Sequence, residues 1–360
     1  MDLYYASTPY NILVNLLIKK SRNEDADLII SDFSAQNYDI YKKISMLKIF
    51  NHVYFVKQKQ FEQVEFHDGL IRRVFRKIGE RANNRLFFEK LFKRECSDMI
   101  SKQKYDIAFF DATNYLQRVI FYHYKKINKK LMFYKTDCGI ESYYNNTNTT
   151  IRFKWIRDVT RKMMKSYLGT YLIDKRLCLF DNKPTFQIDL NNLNINEINN
   201  IFDYKGDDGI FNNEVVYFDQ KLDYQEWTDI QTSICDALAE KSKSFVVKLH
   251  PRTEAFIYKD KPIIKSKSTF ELMLLNNKDK DFSKKIYVTP MSTAAFLPKM
   301  LLDKEPYVIF VMDIMGLHFP EEDAVRKFVD KAKTVYSSNK VYSLSTREEL
   351  EETLNKIGTR

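Results

Sequence analysis

Apolar residues in the first part of the chain gather in short runs. These are "LYYA" (Leu3–Ala6), "ADLIISD" (Ala26–Asp32), "HVYFVK" (His52–Lys57), "YDIAFFDA" (Tyr105–Ala112) and "KLMFYKTDCG" (Lys130–Gly139). Runs of this length read as strands. After the first run, Thr8 precedes Pro9, the pairing expected at an N-cap and first helical turn. Ile12, Leu13, Leu16 and Leu17 then recur at helical spacing. Strand, tight turn and helix in alternation predict a mainly parallel α/β sheet.

The pattern changes at "DLNNLNINEINNIFDYKGDDG" (Asp189–Gly209), which is rich in Asn and Asp with spaced Leu and Ile. It reads as a partly helical linker, with "GDDG" (Gly206–Gly209) as a turn. The alternation then restarts with "EVVYFDQ" (Glu214–Gln220), a helix from about Tyr224 to Lys241, and "SFVVKLH" (Ser244–His250). A helix near Phe270–Leu275, "KIYVTP" (Lys285–Pro290), a helix from about Thr293 and "PYVIFVM" (Pro306–Met312) follow. The expected organisation is a first α/β domain over 1–188, a linker over 189–212 and a second α/β domain over 213–360. Two Rossmann-like domains facing a cleft would bind ligands at the carboxyl ends of their strands.

Composition narrows the class. At 360 residues with 44% hydrophobic residues, the chain is long and apolar enough for two globular cores. No apolar run approaches the ~20 residues of a membrane span. The N-terminus has Asp2 and no basic segment before its apolar run, so it does not read as a signal peptide. The four cysteines and five histidines lack metal-binding or disulfide-framework spacing, which predicts reduced thiols in the cytoplasm and no metal. A net charge of +10 points to anionic partners: nucleotides, an acidic membrane face or nucleic acid. No helix-turn-helix, zinc-finger or RNP-type signature supports the last.

Four places carry candidate chemistry. His250 ends a strand and is followed by Pro251, which restricts it to extended geometry. Its imidazole either caps backbone groups or donates to, and protonates, a phosphate. Arg252 either adds charge there or is simply exposed. Ser292 and Thr293 open a helix, where they serve as an ordinary N-cap or as a cradle for phosphate. Glu271 follows Ser268 by three residues, the spacing of a capping box; the alternative is a carboxylate for ribose hydroxyls. Asp137 and Gly139 in "KTDCG" form either a strand-end turn or part of an acidic site.

Taken in order, these motifs resemble those of the bacterial sialyltransferases of glycosyltransferase family 52, which includes the lipooligosaccharide sialyltransferases. "KLHPR" resembles that family's His-Pro motif, "MSTAA" its serine motif, and "YYASTPYNILVNLL" its opening strand, Thr-Pro and helix. "YKTDCGIESYY" is the nearest counterpart of the family's acidic-acidic-glycine motif, with Cys138 at the second acidic position. The resemblance implies a GT-B fold and an inverting, metal-independent sialyltransferase. It would need no cofactor and use CMP-sialic acid as donor and a galactoside-type hydroxyl of a cell-surface glycan as acceptor. It implies His250 as the group that protonates the departing phosphate. Pro251, Glu271, Ser292 and Thr293 would hold the nucleotide, and Asp137 would act as base. Thr8, Pro9 and Gly139 would lie on the acceptor side. Asp219 and Asp223, after the first strand of the second half, are rival bases, each with a helix N-cap as the alternative.

Other readings are transfer of Kdo from CMP-Kdo, transfer of a hexose from a UDP-sugar, and a basic nucleic-acid-binding protein. Oligomeric state stays open, a homodimer being one option. Two basic amphipathic stretches, "IRRVFRKIGERANNRLFFEKLFKRE" (Ile71–Glu95) and "IRFKWIRDVTRKMMKSYL" (Ile151–Leu168), are either surface helices with apolar faces in the core or sites of peripheral attachment to an anionic membrane face.

Overall fold

The computed structural model describes residues 1–58, 92–93, 96, 99, 102–111, 114–144, 163–190, 193–206, 209–220, 225–250, 253, 255–258, 260–266, 268–316 and 321–358. The chain divides into two compact units. The first comprises Met1–Cys138, Asn145–Lys175 and Phe180–Phe202. The second comprises Gly139–Tyr144, Arg176–Leu179 and Asp203–Arg360. Residues 59–91 and 145–162, and with them most of the two basic stretches, lie outside the described residues, as do Asp223, Pro251 and Arg252.

The first unit holds a seven-stranded parallel sheet in the order β3-β2-β1-β4-β5-β6-β7. The strands are β1 Asp2–Ala6, β2 Ala26–Ser31, β3 His52–Val56, β4 Ile107–Phe110, β5 Met132–Thr136, β6 Tyr167–Leu172 and β7 Thr185–Gln187. Helices α1 Pro9–Arg22, α2 Asn37–Leu47 and α3 Tyr115–Ile127 connect strands of this sheet. Every residue of β1 is buried, as expected for a central parallel strand covered on both faces. Helix α1 begins as its sequence predicts. Thr8 accepts the Asn11 N–H at 3.2 Å, Asn11 Oδ1 accepts the Thr8 N–H at 3.1 Å, and Pro9 takes the first turn. The box is closed by Asn in place of the usual Glu or Gln.

Strand β6 carries no clear apolar run because Gly169 interrupts it. A Cβ at that position would lie 2.3 Å from the Pro184 carbonyl oxygen, which accepts the Thr170 N–H from the adjoining chain. The glycine permits this close backbone approach and weakens the strand signal at the same time.

The second unit holds a six-stranded parallel sheet in the order β10-β9-β8-β11-β12-β13. Its strands are β8 Val215–Phe218, β9 Phe245–Lys248, β10 Ile263–Ile264, β11 Ile286–Thr289, β12 Tyr307–Phe310 and β13 Val341–Ser343. Before it, helix α4 spans Glu141–Tyr144, and helix α5 Ile195–Phe202 falls in the Asn-rich stretch and belongs to the first unit. Helices α6 Gln225–Lys241, α7 Phe270–Asn276, α8 Leu297–Leu302, α9 Glu322–Val335 and α10 Arg347–Ile357 surround this sheet.

The helix expected from Thr293 starts as a 3₁₀ turn, Thr293–Phe296, before α8. Pro298 has no N–H to give the Ala294 carbonyl, which instead accepts from Leu297 in a tighter three-residue step. The capping box expected on Ser268 is also displaced. Thr269 is the N-cap of α7 and accepts the Leu272 N–H, so Glu271 falls one position short of the box.

Candidate active site

In the second sheet the strand order reverses between β8 and β11, and the carboxyl ends of strands at such a point are where open α/β sheets bind ligands. The chain leaves β8 at Asp219, β9 at Leu249-His250 and β11 at Pro290 to Thr293. Three sequence-predicted positions therefore come to the same sheet edge, on the adjacent strands β9, β8 and β11.

The loop after β11 is tied to the neighbouring strand. Thr289 is fully buried, its hydroxyl donates to the Phe218 carbonyl at 3.4 Å, and it accepts the Ser292 N–H at 3.0 Å. Ser292 in turn accepts the Ala294 N–H at 3.2 Å. The side chain of Ser292 thus caps the turn, and the half-buried Thr293 follows it. Gly139, at φ +109°, places the position of a Cβ 3.9 Å from the Thr293 hydroxyl oxygen. This backbone conformation is one that L side chains rarely adopt. It brings the glycine of the acidic motif beside the serine motif within one compact unit. The segment that follows Gly139 is fixed there by the Tyr143 ring, edge-on to Phe328 at 5.6 Å, and by the Leu179 N–H donated to the Tyr143 carbonyl at 2.8 Å.

His250 is half-buried, and its backbone N–H donates to Asp219 Oδ2 at 3.0 Å. The turn after it closes with the Thr253 N–H donated to the His250 carbonyl at 2.9 Å. Asp219 is only 4% exposed. Its Oδ1 accepts the Tyr258 hydroxyl at 2.7 Å, and Gln231 Oε1 accepts the Tyr217 hydroxyl at 2.9 Å and lies 3.4 Å from that of Tyr258. Burial, with Cys235 and the Asp219 carboxylate nearby, pushes the Tyr258 hydroxyl far above its ordinary range, so it stays a donor. Glu271 lies half-buried in the first turn of α7.

In the first unit Asp137 is fully buried at the end of β5. Its Oδ2 accepts the Ile173 N–H at 3.0 Å, and its carbonyl accepts Asn11 Nδ2 at 3.3 Å. A second carboxylate there was not singled out from sequence. Asp111, after β4, accepts the Ser7 N–H at 3.1 Å and also bonds the Ser7 hydroxyl and the Gln117 amide. The signal was available in "IAFFDA", an aspartate directly after an apolar run, as in "YKTD" and "VVYFD". Tyr258 and Gln231 carried no such signal, Tyr258 lying in the 3₁₀ turn Ala255–Tyr258 and Gln231 within helix α6.

No family model matches the chain, and no curated protein matches it in sequence. Among solved structures, UGT89C1 of Arabidopsis thaliana in complex with UDP is similar over 100% of this chain and 90% of that one, with 10% identity and a TM-score of 0.53. TcCGT1 in complex with UDP (11% identity, 100% and 90% covered, TM-score 0.47) and CalG4, the calicheamicin glycosyltransferase (8%, 99% and 97%, 0.45), superpose less well. At such identities the likeness is one of fold. With its two parallel α/β units, this chain has the fold of the GT-B glycosyltransferases.

Proposed function

We propose that the protein is a glycosyltransferase that takes a sugar from a nucleotide-activated donor, and that the donor is CMP-sialic acid. The observation that carries this reading is the placing of His250 and Ser292-Thr293 at the carboxyl ends of β9 and β11, on either side of β8, in a chain of GT-B fold. The choice of sialic acid rests on the motifs "KLHPR", "MSTAA" and "KTDCG".

The leaving group is a nucleotide phosphate whose negative charge grows as the glycosidic bond breaks. Donors aimed at that charge lower the barrier. His250 fills this role and passes a proton to the phosphate. Ser292 and Thr293 supply their hydroxyls at the start of the turn, the Ser292 N–H being already donated to Thr289, and Glu271 faces the ribose. A carboxylate deprotonates the acceptor hydroxyl. Asp137 takes this role by the motif, and Gly139, Thr8 and Pro9 belong to the acceptor side.

The test is incubation with CMP-sialic acid, CMP-Kdo and UDP-hexoses against an array of galactosides, with products read by mass spectrometry. A sialylated galactoside is expected. A UDP-hexose product alone would favour the second reading, to which the UDP-bound structural neighbour lends support. No product from any donor would remove the transferase reading.

A further inference from the structure

We infer that Asp219 is the positioning residue of the His-Pro turn and not a base; the catalytic part of this inference rests on the function proposed above. β8 and β9 pair in parallel up to Phe218 and Lys248. The ladder then continues for one more bond, the Asp219 N–H donated to the Lys248 carbonyl at 3.1 Å. In a regular parallel ladder the next rung would run from the His250 N–H to the backbone carbonyl of Asp219. Here the carboxylate takes that rung, accepting the His250 N–H at 3.0 Å.

The substitution has two consequences. It frees the chain to turn away after Asp219 while β9 stays registered for two further residues, so His250 leaves the sheet at a fixed place. It also replaces a neutral acceptor with a charged one, which makes a stronger bond. The other oxygen is held by Tyr258 at 2.7 Å, and Tyr258 and Gln231 connect the carboxylate to Tyr217 on β8. With one oxygen accepting the His250 N–H itself and the other held by the Tyr258 hydroxyl, this buried carboxylate is arranged to hold the turn's backbone. The turn it holds is the one from which His250 addresses the phosphate.

Amide and carboxylate separate the two roles. In Asp219→Asn the side-chain oxygen still accepts the His250 N–H. The new NH₂ donates to the Tyr258 oxygen, whose hydroxyl turns toward Gln231. The rung survives and the basicity does not. Asp219→Ala removes both. The experiment compares the two variants by donor turnover across pH and by hydrogen exchange of the His250 amide. Asp219→Ala is expected to lose on the order of 10²-fold in kcat through misplacement of His250, with donor KM little changed and fast exchange at that amide. Asp219→Asn is expected to keep kcat within about ten-fold of the parent, with slow exchange, because it replaces one satisfied bonding pattern by another. Its low-pH limb of kcat should persist.

An asparagine variant as inactive as the alanine variant, with that limb abolished, would make Asp219 the base and overturn the inference. So would an alanine variant whose His250 amide stays protected. If Asp219→Ala does not fold, Tyr258→Phe serves in its place: faster exchange at His250 and lower turnover support the inference, and parental values of both overturn it. Should the parent turn over no nucleotide sugar, the proposed function fails, while the exchange measurements still decide whether Asp219 holds the turn.

Discussion

At the scale of single residues, the proposed function separates groups in the second unit that would do chemistry from groups that hold them. On that proposal His250 is of the first kind. Its replacement by alanine is expected to cut turnover by about 10²–10³, the usual effect of losing one donor to developing charge. The fold should stay intact, because the imidazole is only half-buried and the turn is held through the backbone. Near-parental turnover of that variant, with an unchanged melting temperature, would remove His250 from the mechanism. Asp137 offers a different contrast. Its Oδ2 already accepts the Ile173 N–H at the end of β5, and asparagine can preserve that bond with its own oxygen. Asp137→Asn should therefore fold and bind donor normally while losing most of its turnover. Full activity would take the base away from the "KTDCG" motif. Gly139 was legible as a glycine of consequence because it follows an apolar run and an aspartate. Its φ of +109° gives the physical reason, which no sequence pattern states.

At the scale of elements, legibility followed burial. β1, β2, β4, β8, β9, β11 and β12 are short and almost wholly buried, so their sequences are mostly apolar and stand out between polar residues. β7, β10 and β13 are two or three residues long and lie at the outer part of their sheets, too short to leave a run. The candidate site was legible where a motif sits at a strand end, as with His250, Ser292 and Asp219. It was illegible where a side chain reaches in from elsewhere, as Tyr258 and Gln231 do to meet Asp219. The start of β12 shows the same limit. Glu305 accepts Lys299 from α8 at 2.6 Å, together with the Ser337 N–H at 2.8 Å and the Ser338 hydroxyl at 2.7 Å. Burial alone would raise this carboxyl, but these bonds outweigh it and hold it at about 2, below the ordinary 4.5. A carboxylate whose folded pKa is depressed stabilises the fold above its unfolded pKa, and that contribution is lost as pH falls through the folded value. The stability difference between parent and Glu305→Gln, measured by denaturant unfolding, should be full at pH 7 and shrink between about pH 4.5 and 2. A difference independent of pH over that window would show that the carboxylate's charge does not contribute.

At the scale of the whole molecule, the charge is unevenly placed. Ile71–Glu95 holds nine Lys and Arg against three Glu, and Ile151–Leu168 holds six against one Asp. Together they carry a net charge of +11 in a chain of net +10, so the remainder is close to neutral at −1. Basicity is thus a property of two segments, both in the part of the sequence before the strands of the second sheet. Among the described residues no helix is long and apolar enough to cross a membrane. Surface helices with apolar faces in the core are one reading of such segments; peripheral attachment to an anionic membrane face is the other. Each basic residue near an anionic leaflet contributes roughly 1 kcal/mol, and the attraction is screened by salt. Phe75, Phe87, Phe88, Phe153 and Trp155 lie among these charges, with side chains suited to the headgroup zone. If the acceptor is carried on a lipid, attachment would bring enzyme and acceptor together on one surface. Co-sedimentation should therefore show binding to vesicles containing phosphatidylserine or phosphatidylglycerol. Binding should be stronger at low than at physiological salt and absent with phosphatidylcholine alone. Replacing Arg72, Arg73, Arg76 and Lys77 with Gln should weaken it while leaving turnover of a soluble galactoside unchanged. Equal sedimentation with neutral and anionic vesicles, or none with either, would leave these segments as basic faces of the protein surface and send the search for the acceptor to soluble glycans.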